Sequence, residues 1–236
     1  MYVIEGNIGV GKSTLLNLIK KHLAHITVNF ESVESWDKNE SEASLLHHFY
    51  QDTSRWSYTM ETFTLFTRVQ EHLAIQAQET FSIAMMERSI YSGYYCFAHN
   101  GYLQGFLNDT EWDLYTKWFE FLAASHCKTP DGFIYLQTEP TICHQRAQKR
   151  NRASEKDVPL VYFNQIHDQH ESFLIKKKRI LKSLQDVPVL VLDATYNFES
   201  DEQIMHEYLE KINDFVLLTH TKKAKINPLK KENVHI

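Results

Sequence analysis

The chain has 236 residues, the length of one domain or of one domain with insertions, and its apolar fraction of 43% is enough for a buried core. Its formal net charge of −5 argues against a nucleic-acid-binding surface, and its three cysteines have no Cys-x-x-Cys spacing, so we expect buried thiols in a reducing compartment. No apolar run approaches transmembrane length and the first predicted strand begins at Met1, which leaves no room for a signal peptide, so we expect a cytoplasmic protein without a membrane partner.

A phosphate-binding loop is predicted at the start of the chain. The apolar run Met1–Glu5 is typical of a strand, and apolar residues recur at helical spacing from Leu15 to Leu23. The segment between them matches the pattern GxxxxGK[ST], in which glycines allow backbone N–H groups to surround phosphate oxygens. Lys12 would reach the β- and γ-phosphates, and the Ser13 hydroxyl would ligate Mg²⁺. The residues predicted to hold a nucleoside triphosphate are Gly6, Asn7, Ile8, Gly9, Val10, Gly11, Lys12, Ser13 and Thr14.

Charged residues follow the next two predicted strands. Ile26–Phe30 delivers Glu31, and Phe81–Met86 delivers Glu87 and Arg88. Ligands of open parallel sheets bind outside the carboxyl ends of the strands, so these side chains are expected beside the phosphate-binding loop. Glu31 is a candidate general base there, although many strands simply end in a solvated acid.

Two helices are predicted between these strands. Leu45–Tyr50 is a short one and Arg55–Phe81 a longer one. In the longer helix, Glu61 and Arg68 lie two turns apart and share a face, for which a solvated charge pair is the plainer interpretation when no context is added. The stripe predicted to face the core consists of Trp56, Met60, Phe63, Phe66 and Leu73.

An aromatic region follows the third predicted strand. We expect a short helix and a loop over Tyr91–Gly101, and a helix over Glu111–Cys127. The apolar side of the second helix fits either the core or a dimer interface, and the core is the safer expectation. That side consists of Trp112, Tyr115, Trp118, Phe119 and Leu122.

Three arginines follow the fourth predicted strand, Gly132–Gln137. Pro140 favours the start of a helix, and this helix leads into Arg146, Arg150 and Arg152. The alternatives are a solvated basic face and a lid that closes over transferring phosphates. The close spacing favours the lid, because the planar guanidinium group binds phosphate oxygens bidentately.

The last third of the chain supplies the remaining elements. A long helix is predicted over Leu160–Leu184, a fifth strand over Val187–Asp193 and a final helix over Ser200–Leu217. The fifth strand is nearly continuous in apolar residues, as expected for a strand covered on both faces. His167 and His170 have a spacing that two metal ligands could use, but no Cys/His cluster accompanies them, and a solvated face is the expected environment. Five strands alternating with helices indicate an α/β doubly wound sheet.

Several motifs together resemble one enzyme family, the deoxynucleoside kinases of the deoxycytidine, deoxyguanosine and insect multisubstrate group. The likeness covers Met1 to about Leu217. It implies a five-stranded parallel sheet of order 2-3-1-4-5 with helices on both faces, an arginine-rich lid and a homodimer. The motifs that carry it are Glu5–Gly9, Glu31–Trp36, Arg55–Ser57, Glu87–Ser89, and the three arginines followed by Pro159 and Leu160.

The resemblance assigns catalytic roles. Glu31 matches the general base that takes the proton from the sugar 5′-hydroxyl. Arg88 matches the arginine that orients this base and contacts the transferring phosphoryl group, and Lys12 would share in stabilising its charge. Glu87 matches a carboxylate near Mg²⁺. The lid arginines on the donor phosphates are Arg146, Arg150 and Arg152.

The resemblance also assigns binding roles. Tyr50 and Glu155 match a pair that holds the deoxyribose 3′-hydroxyl. Trp36 and Phe63 fall near positions that line the nucleoside pocket. Phe198, after the fifth strand, matches a loop that packs near the donor base.

This chain departs from the family where the base is read. Most members carry a Gln where it has Glu61, and the cytidine- and purine-preferring members carry an Asp paired with an arginine where it has Gly93 beside Arg68. An ionised Glu only accepts hydrogen bonds and an arginine only donates, and this pattern complements guanine or thymine rather than cytosine or adenine. We therefore expect a preference for deoxyguanosine or thymidine, leaning to the purine because Arg68 would crowd a thymine methyl. A direct pair between Glu61 and Arg68 is the alternative.

The resulting hypothesis is a homodimeric deoxynucleoside kinase that uses ATP and Mg²⁺, with a kinase domain over 1–218 and a flexible lysine-rich tail over 219–236. A nucleoside monophosphate kinase such as thymidylate kinase shares the loop and lid, but Glu31 would repel its acceptor phosphate. A regulatory nucleotide-binding module needs no base for an acceptor hydroxyl, so Glu31, Arg88 and the lid argue against that class.

Overall fold

Five short runs of mainly apolar residues form an all-parallel sheet. The strands are β1 (Tyr2–Gly6), β2 (Ile26–Asn29), β3 (Ile83–Glu87), β4 (Gly132–Gln137) and β5 (Val189–Asp193). The computed structural model describes residues 1–31, 44–78, 83–152, 155 and 158–226, and orders the strands β2-β3-β1-β4-β5. Both the predicted α/β doubly wound class and the strand order implied by the resemblance are confirmed.

Helices connect the strands and continue beyond the last one. The α-helices are α1 (Lys12–His22), α2 (Leu45–Gln51), α3 (Thr53–Gln76), α4 (Ile90–Ser92), α5 (His99–Leu103), α6 (Asp109–Ser125), α7 (Pro140–Arg150), α8 (Leu160–His170) and α9 (Glu202–Ile226). A π-helical segment over Gly93–Ala98 joins α4 to α5, so the chain is helical from Ile90 to Leu103 where a short helix and a loop were predicted.

The core forms two layers, one on each face of the sheet. Every residue of β1 is buried, and its side chains alternate between the layers. Ile4 packs in the layer that contains α1 and α9, whereas Val3 packs in the layer that contains α6. The loop after β1 therefore begins from the most enclosed strand of the sheet, which fixes its position.

The apolar stripe predicted on α3 is wrong in part. Met60 is buried, but Phe63, Phe66 and Leu73 are exposed, with 37%, 57% and 36% of their surface accessible. The buried face of α3 is instead rich in polar residues, because part of it lines a cavity rather than packing against another helix. These buried polar residues are Ser57, Glu61, Thr64, Arg68 and His72.

The expectation that the apolar side of α6 lies in the core also holds only in part. Tyr115 and Phe119 are buried, but Trp118 is exposed. The helices α3 and α6 pack against each other. Their exposed apolar side chains, which we call the apolar face, are Phe63, Phe66 and Leu73 of α3 and Leu114, Trp118 and Phe121 of α6.

The long helix predicted over Leu160–Leu184 is interrupted. After α8 the chain continues as a π-helix only to Ile175, and Lys177 and Arg179 then adopt φ angles of 46° and 53°. The Lys177 ammonium group donates to the carbonyl oxygen of Val187 at 2.8 Å, which closes the turn that leads back to β5.

His170 lies in the core and not on a solvated face, so that expectation is wrong. Its side chain is fully buried, its Nδ1 lies 2.8 Å from the carbonyl oxygen of Ile166, and its ring stacks on Tyr135. Within the described residues, no group of three or more His, Cys, Asp or Glu side chains has an arrangement that could hold a metal ion. The three cysteines are free and buried, as predicted.

The end of the chain differs from prediction in two ways. β5 is an edge strand with Val191 41% exposed, so it is not covered on both faces. α9 continues past Leu217 to Ile226, through the first part of the predicted tail. The Thr219 hydroxyl lies 2.5 Å from that of Tyr2, which ties this part of α9 to the first strand. Residues 227–236 of the predicted tail lie outside the described residues.

Candidate active site

The loop between β1 and α1 has a backbone that only glycine accommodates easily. Gly9 and Gly11 have φ angles of 73° and 109°, in the region that L side chains rarely adopt. A Cβ on Gly9 would lie 2.5 Å from the carbonyl oxygen of Cys143, and a Cβ on Gly11 would lie 2.9 Å from Cζ of Phe198. The loop is therefore held closely against α7 on one side and the segment after β5 on the other.

Lys12 folds back over this loop from the first turn of α1. Its ammonium group donates to the carbonyl oxygens of Gly6 at 3.2 Å and Asn7 at 2.8 Å. Burial, and to a smaller extent nearby Arg88, lower the pKa of Lys12 to about 7. Phosphate oxygens in the loop would favour the charged form of this lysine.

Ser13 and Glu87 meet at the same end of the sheet. The Ser13 hydroxyl lies 3.0 and 2.9 Å from the two carboxylate oxygens of Glu87. Kinases usually bind Mg²⁺ through one or two protein oxygens together with substrate phosphates and water. A hydroxyl beside a carboxylate is a donor set that fits this metal.

Glu31 follows β2 and is held by two arginines from different elements. Nη2 of Arg68 donates to one carboxylate oxygen at 2.6 Å, and Nε of Arg88 lies 3.2 Å from the other. Burial by itself would raise the pKa of Glu31, but the two arginines outweigh it and hold that pKa below its usual value. The carboxylate is thus ionised at neutral pH and able to accept a proton or a hydrogen bond.

The backbone after β3 turns sharply at Arg88. This residue has a φ angle of 61°, which non-glycine residues rarely adopt and which often marks functional positions. Its N–H still donates to the carbonyl oxygen of Ile4 at 2.9 Å, while the Ser89 hydroxyl caps α4 and donates to Glu5. These contacts fix the turn that directs the Arg88 side chain to Glu31.

A cavity of about 660 Å³, which we call the acceptor cavity, extends from Glu31 into the fold. Glu61 lines it and is 6% exposed; burial raises the pKa of this carboxyl to about 8, and Arg68 acts in the opposite direction. The ion pair of Arg68 is with Glu31, and no ion pair joins it to Glu61, so the alternative considered from the sequence is not adopted. A Cβ on Gly93 would lie 2.7 Å from Nη1 of Arg68, so the missing side chain leaves room for the guanidinium group.

The lid side of the acceptor cavity is formed by Tyr50 and Glu155. The Glu155 carboxylate accepts hydrogen bonds from Arg150 and from Arg152, the latter at 2.6 Å. Burial raises the pKa of Tyr50, and nearby Glu155 raises it further, so the phenol stays neutral. The structure thus brings the predicted pair together and attaches two of the three lid arginines to it.

A second cavity of about 690 Å³, which we call the loop cavity, lies on the other side of Lys12 and Ser13. Phe198 is buried against Gly11 and lines it. Arg146 also lines it, but the guanidinium group donates to the backbone carbonyls of Ala194 at 2.7 Å and Thr195 at 3.1 Å, so it anchors the segment after β5. The residues common to both cavities are Gly9, Lys12, Ser13, Glu87, Arg150 and Arg152.

This geometry joins the glycine loop after β1 to a cavity lined by the Glu31 carboxylate and by the pair Tyr50 and Glu155. A family model for deoxynucleoside kinases matches residues 2–217. The chain belongs to the deoxynucleoside kinase family. Members of this family are phosphotransferases, so the kinase described here is an enzyme of that class.

Curated relatives align over nearly the whole kinase. It is 34% identical to deoxycytidine kinase 2 of Gallus gallus, over 90% of this chain and 89% of the relative. It is 33% identical to the mitochondrial deoxyguanosine kinase of Xenopus laevis, over 90% and 88% of the two chains. A probable deoxycytidine kinase of fowlpox virus is also 33% identical, over 90% and 86%.

Two residues predicted in the nucleoside pocket are not brought to it. Phe63 is exposed on the apolar face and is absent from the lining of the acceptor cavity. Trp36 lies outside the described residues. No helix of the described residues is both long and apolar enough to cross a membrane.

The cavity lining also includes residues that the sequence reasoning missed. Thr64, Phe97 and Tyr162 all line the acceptor cavity. Thr64 lies between Glu61 and Arg68 at helical spacing, so the shared face of α3 was a usable signal. Phe97 and Tyr162 come from segments distant in sequence, and no local pattern distinguishes them from core aromatics.

Proposed function

We propose that this kinase transfers the γ-phosphoryl group of ATP to the 5′-hydroxyl of a deoxynucleoside. The observation that supports this most directly is the ionised Glu31 carboxylate in a cavity that shares Lys12 and Ser13 with the phosphate-binding loop. Glu31 accepts the hydroxyl proton while the sugar oxygen attacks the γ-phosphorus and the bond to the bridging oxygen of ADP breaks.

Cationic groups on the loop side stabilise the charge that develops during this transfer. Lys12 and Arg88 lie beside the reacting centre, and closure of the lid would bring Arg150 and Arg152 onto the phosphates. Arg146 supports the donor side by holding the segment after β5. Mg²⁺ would be held by Ser13 and Glu87 and would neutralise charge on the donor phosphates. Tyr50 and Glu155 would bind the 3′-hydroxyl and so select a deoxyribose with a free hydroxyl there.

Two other functions are supported less well. A nucleoside monophosphate kinase needs free cations for the acceptor phosphate, whereas Arg68 and Arg88 are both already paired with Glu31. Two further acidic side chains, Glu61 and Glu155, line the same cavity and would repel a phosphate. A regulatory nucleotide-binding module has no use for a buried, ionised carboxylate at the acceptor position. Turnover on thymidine monophosphate alone would favour the nucleoside monophosphate kinase. Nucleotide binding without any product would favour the regulatory module.

For the base, we propose a preference for deoxyguanosine or thymidine when Glu61 is ionised. The carboxylate would accept from the ring N–H of either base, and Arg68 would donate to the neighbouring carbonyl. The purine is favoured because Arg68 would crowd a thymine methyl. The relatives named after deoxycytidine and after deoxyguanosine are about equally similar, so this preference rests on Glu61, Arg68 and Gly93.

A substrate panel tests this function directly. ATP-dependent turnover is measured at about pH 8.5 on the four deoxynucleosides, guanosine and thymidine monophosphate. We expect product on deoxynucleosides, with deoxyguanosine or thymidine leading. Equal efficiency on deoxycytidine and deoxyguanosine would reject the base preference and leave the kinase class intact.

We also propose that the kinase is a homodimer formed through the apolar face. Two neighbouring helices carry six exposed large apolar side chains there, and a second copy would bury them. The cytoplasmic location stays a prediction, because one relative is named as mitochondrial. Microscopy of a fluorescently tagged full-length chain in its host cell would test it.

A further inference from the structure

The inner part of the acceptor cavity contains a carboxyl group without a partner. Glu61 is 6% exposed and lines the cavity. The Thr64 hydroxyl donates to the backbone carbonyl of Glu61 at 3.0 Å, but the Glu61 carboxyl has no hydrogen-bond or ion-pair partner among the described residues. Arg68, two turns further along the same face of α3, also lines the cavity. A polar group of a ligand in the cavity would give the Glu61 carboxyl a partner.

The groups around Glu61 leave its charge poorly compensated. Arg68 is the cation that faces it from its own helix, and Glu31 at the end of β2 already neutralises that cation. Tyr115 of α6 and Tyr162 of α8 face it as neutral phenols, because burial raises the pKa of both. The π-helical segment contributes the uncharged Gly93 and Phe97 to this region. Burial therefore dominates, and the pKa of Glu61 rises to about 8.

We propose that Glu61 admits cytosine or adenine only while its carboxyl group carries a proton, and admits guanine or thymine in either state. This inference rests on the proposed deoxynucleoside kinase function. The protonated carboxyl has an O–H donor and a C=O acceptor, which complement the ring nitrogen and exocyclic amino group of cytosine or adenine. The carboxylate has acceptors only, which complement the ring N–H of guanine or thymine, with guanine adding its amino group.

The wrong combination is costly in a buried cavity. A carboxylate against the ring nitrogen of cytosine places two acceptors together. A protonated carboxyl can accept from the ring N–H of guanine through its C=O and donate to O6 through its O–H, so guanine is compatible with both forms. Arg68 adds to the contrast, because its guanidinium group lines the cavity and can donate to guanine O6 but meets only an amino group on cytosine. Binding of deoxycytidine therefore requires the Glu61 proton, whereas deoxyguanosine can bind with or without it.

The first test is the pH dependence of substrate choice. The ratio of kcat/KM for deoxyguanosine to that for deoxycytidine is measured between about pH 6 and 8.5. Changes in the protonation of Glu31, Lys12 and other groups of the free enzyme alter kcat/KM for both substrates by the same factor. That factor cancels when the ratio of the two kcat/KM values is taken. We expect the ratio to be level at low pH, where the protonated acid reads both bases, and to rise as Glu61 ionises, approaching tenfold per pH unit, because deoxycytidine alone then needs the proton back.

The matched variant is Glu61→Gln, which has the shape and the hydrogen-bonding pattern of the protonated acid but cannot titrate. We expect its ratio to be independent of pH and close to the low-pH ratio of the wild type. A wild-type ratio that does not change with pH, or a slope that persists in Glu61→Gln, would overturn the proposal. If no deoxynucleoside gives product, the proposed function fails and the inference fails with it; product with a flat ratio rejects the inference alone.

Calorimetry supplies a test that does not depend on turnover. Deoxyguanosine and deoxycytidine are titrated into the wild-type kinase at about pH 9 in buffers with different ionisation enthalpies, without a phosphoryl donor. We expect uptake of close to one proton with deoxycytidine and none with deoxyguanosine. Equal proton uptake for the two nucleosides would contradict the proposal, even if the Glu61→Gln variant does not fold.

Discussion

The phosphate end and the base end of this site are built in different ways. The phosphate end is one continuous segment, Gly6–Thr14, whose glycine backbone and single lysine form the binding surface. The base end is assembled from side chains of α3, of the π-helical segment and of α8, which are elements far apart in sequence, with Gly93 leaving room for Arg68. The first surface suits any nucleoside triphosphate, whereas the second can change its specificity through one or two residues without disturbing the loop.

Glu31 lies between the two ends, and its substitution should have the largest effect on kcat. Glu31→Gln keeps a hydrogen-bonding group for Arg68 and Arg88 but removes the base. We expect kcat to fall about 10²–10⁴-fold with a folded protein, measured by steady-state kinetics and thermal unfolding. Glu210→Gln, on the exposed side of α9, is the control and should leave kcat unchanged. Full turnover by Glu31→Gln would remove this residue from the role of base.

The phosphate end can be disrupted through its backbone. In Gly9→Ala the new Cβ would lie 2.5 Å from a carbonyl oxygen of α7, which must displace the loop. We expect kcat/KM for ATP to fall about 10²-fold, because small displacements of reacting groups are costly.

Gly105→Ala is the matched control for that change. Gly105 also has a positive φ angle, 76°, but nothing lies within 4 Å of an added Cβ. It should cost about 1 kcal/mol of unfolding free energy through backbone strain and leave the kinetics unchanged. Equal kinetic loss in both variants would mean that strain, and not the contact with α7, explains the Gly9 result.

The base end should respond in specificity rather than in rate. The double variant Glu61→Gln with Gly93→Asp restores the residues that cytidine- and purine-preferring members carry. The new Cβ would lie 2.7 Å from Nη1 of Arg68, so the guanidinium group must move aside, and the new Asp can then pair with it. At about pH 8.5 we expect efficiency on deoxycytidine relative to deoxyguanosine to rise roughly 10–100-fold, while KM for ATP stays the same. An unchanged ratio would place base selection elsewhere in the cavity.

The smallest expected effect on catalysis comes from the apolar face, which is remote from both ends. Trp118→Glu should convert a dimer to monomers in sedimentation experiments, because it places a charge in the buried interface, with little change in kcat. Leu218→Glu changes an exposed apolar residue on α9 and should leave the oligomeric state as it is. A wild-type chain that sediments as a monomer would reject the proposed interface.

The amino-acid sequence by itself determined the strand-and-helix alternation, the phosphate-binding loop and the charged residues after β2 and β3. These features are local: a strand, a glycine turn and a helix define the loop within fourteen residues. In a parallel sheet, the carboxyl ends of the strands then bring Glu31, Glu87 and Arg88 to that loop.

Only the tertiary structure decided which faces of the helices are buried and which charges are paired. The sequence predicted that Phe63, Phe66 and Trp118 are core residues, but in the fold these aromatic side chains are exposed. It indicated no partner for Glu31, which in the fold is paired with Arg68 and Arg88. Hydrophobic periodicity cannot distinguish a core face from an unpartnered apolar face, because both repeat with the same period. The ionisation of Glu61 likewise depends on its burial and on Glu31, which pairs with Arg68. Both features bring together segments that are far apart in the chain.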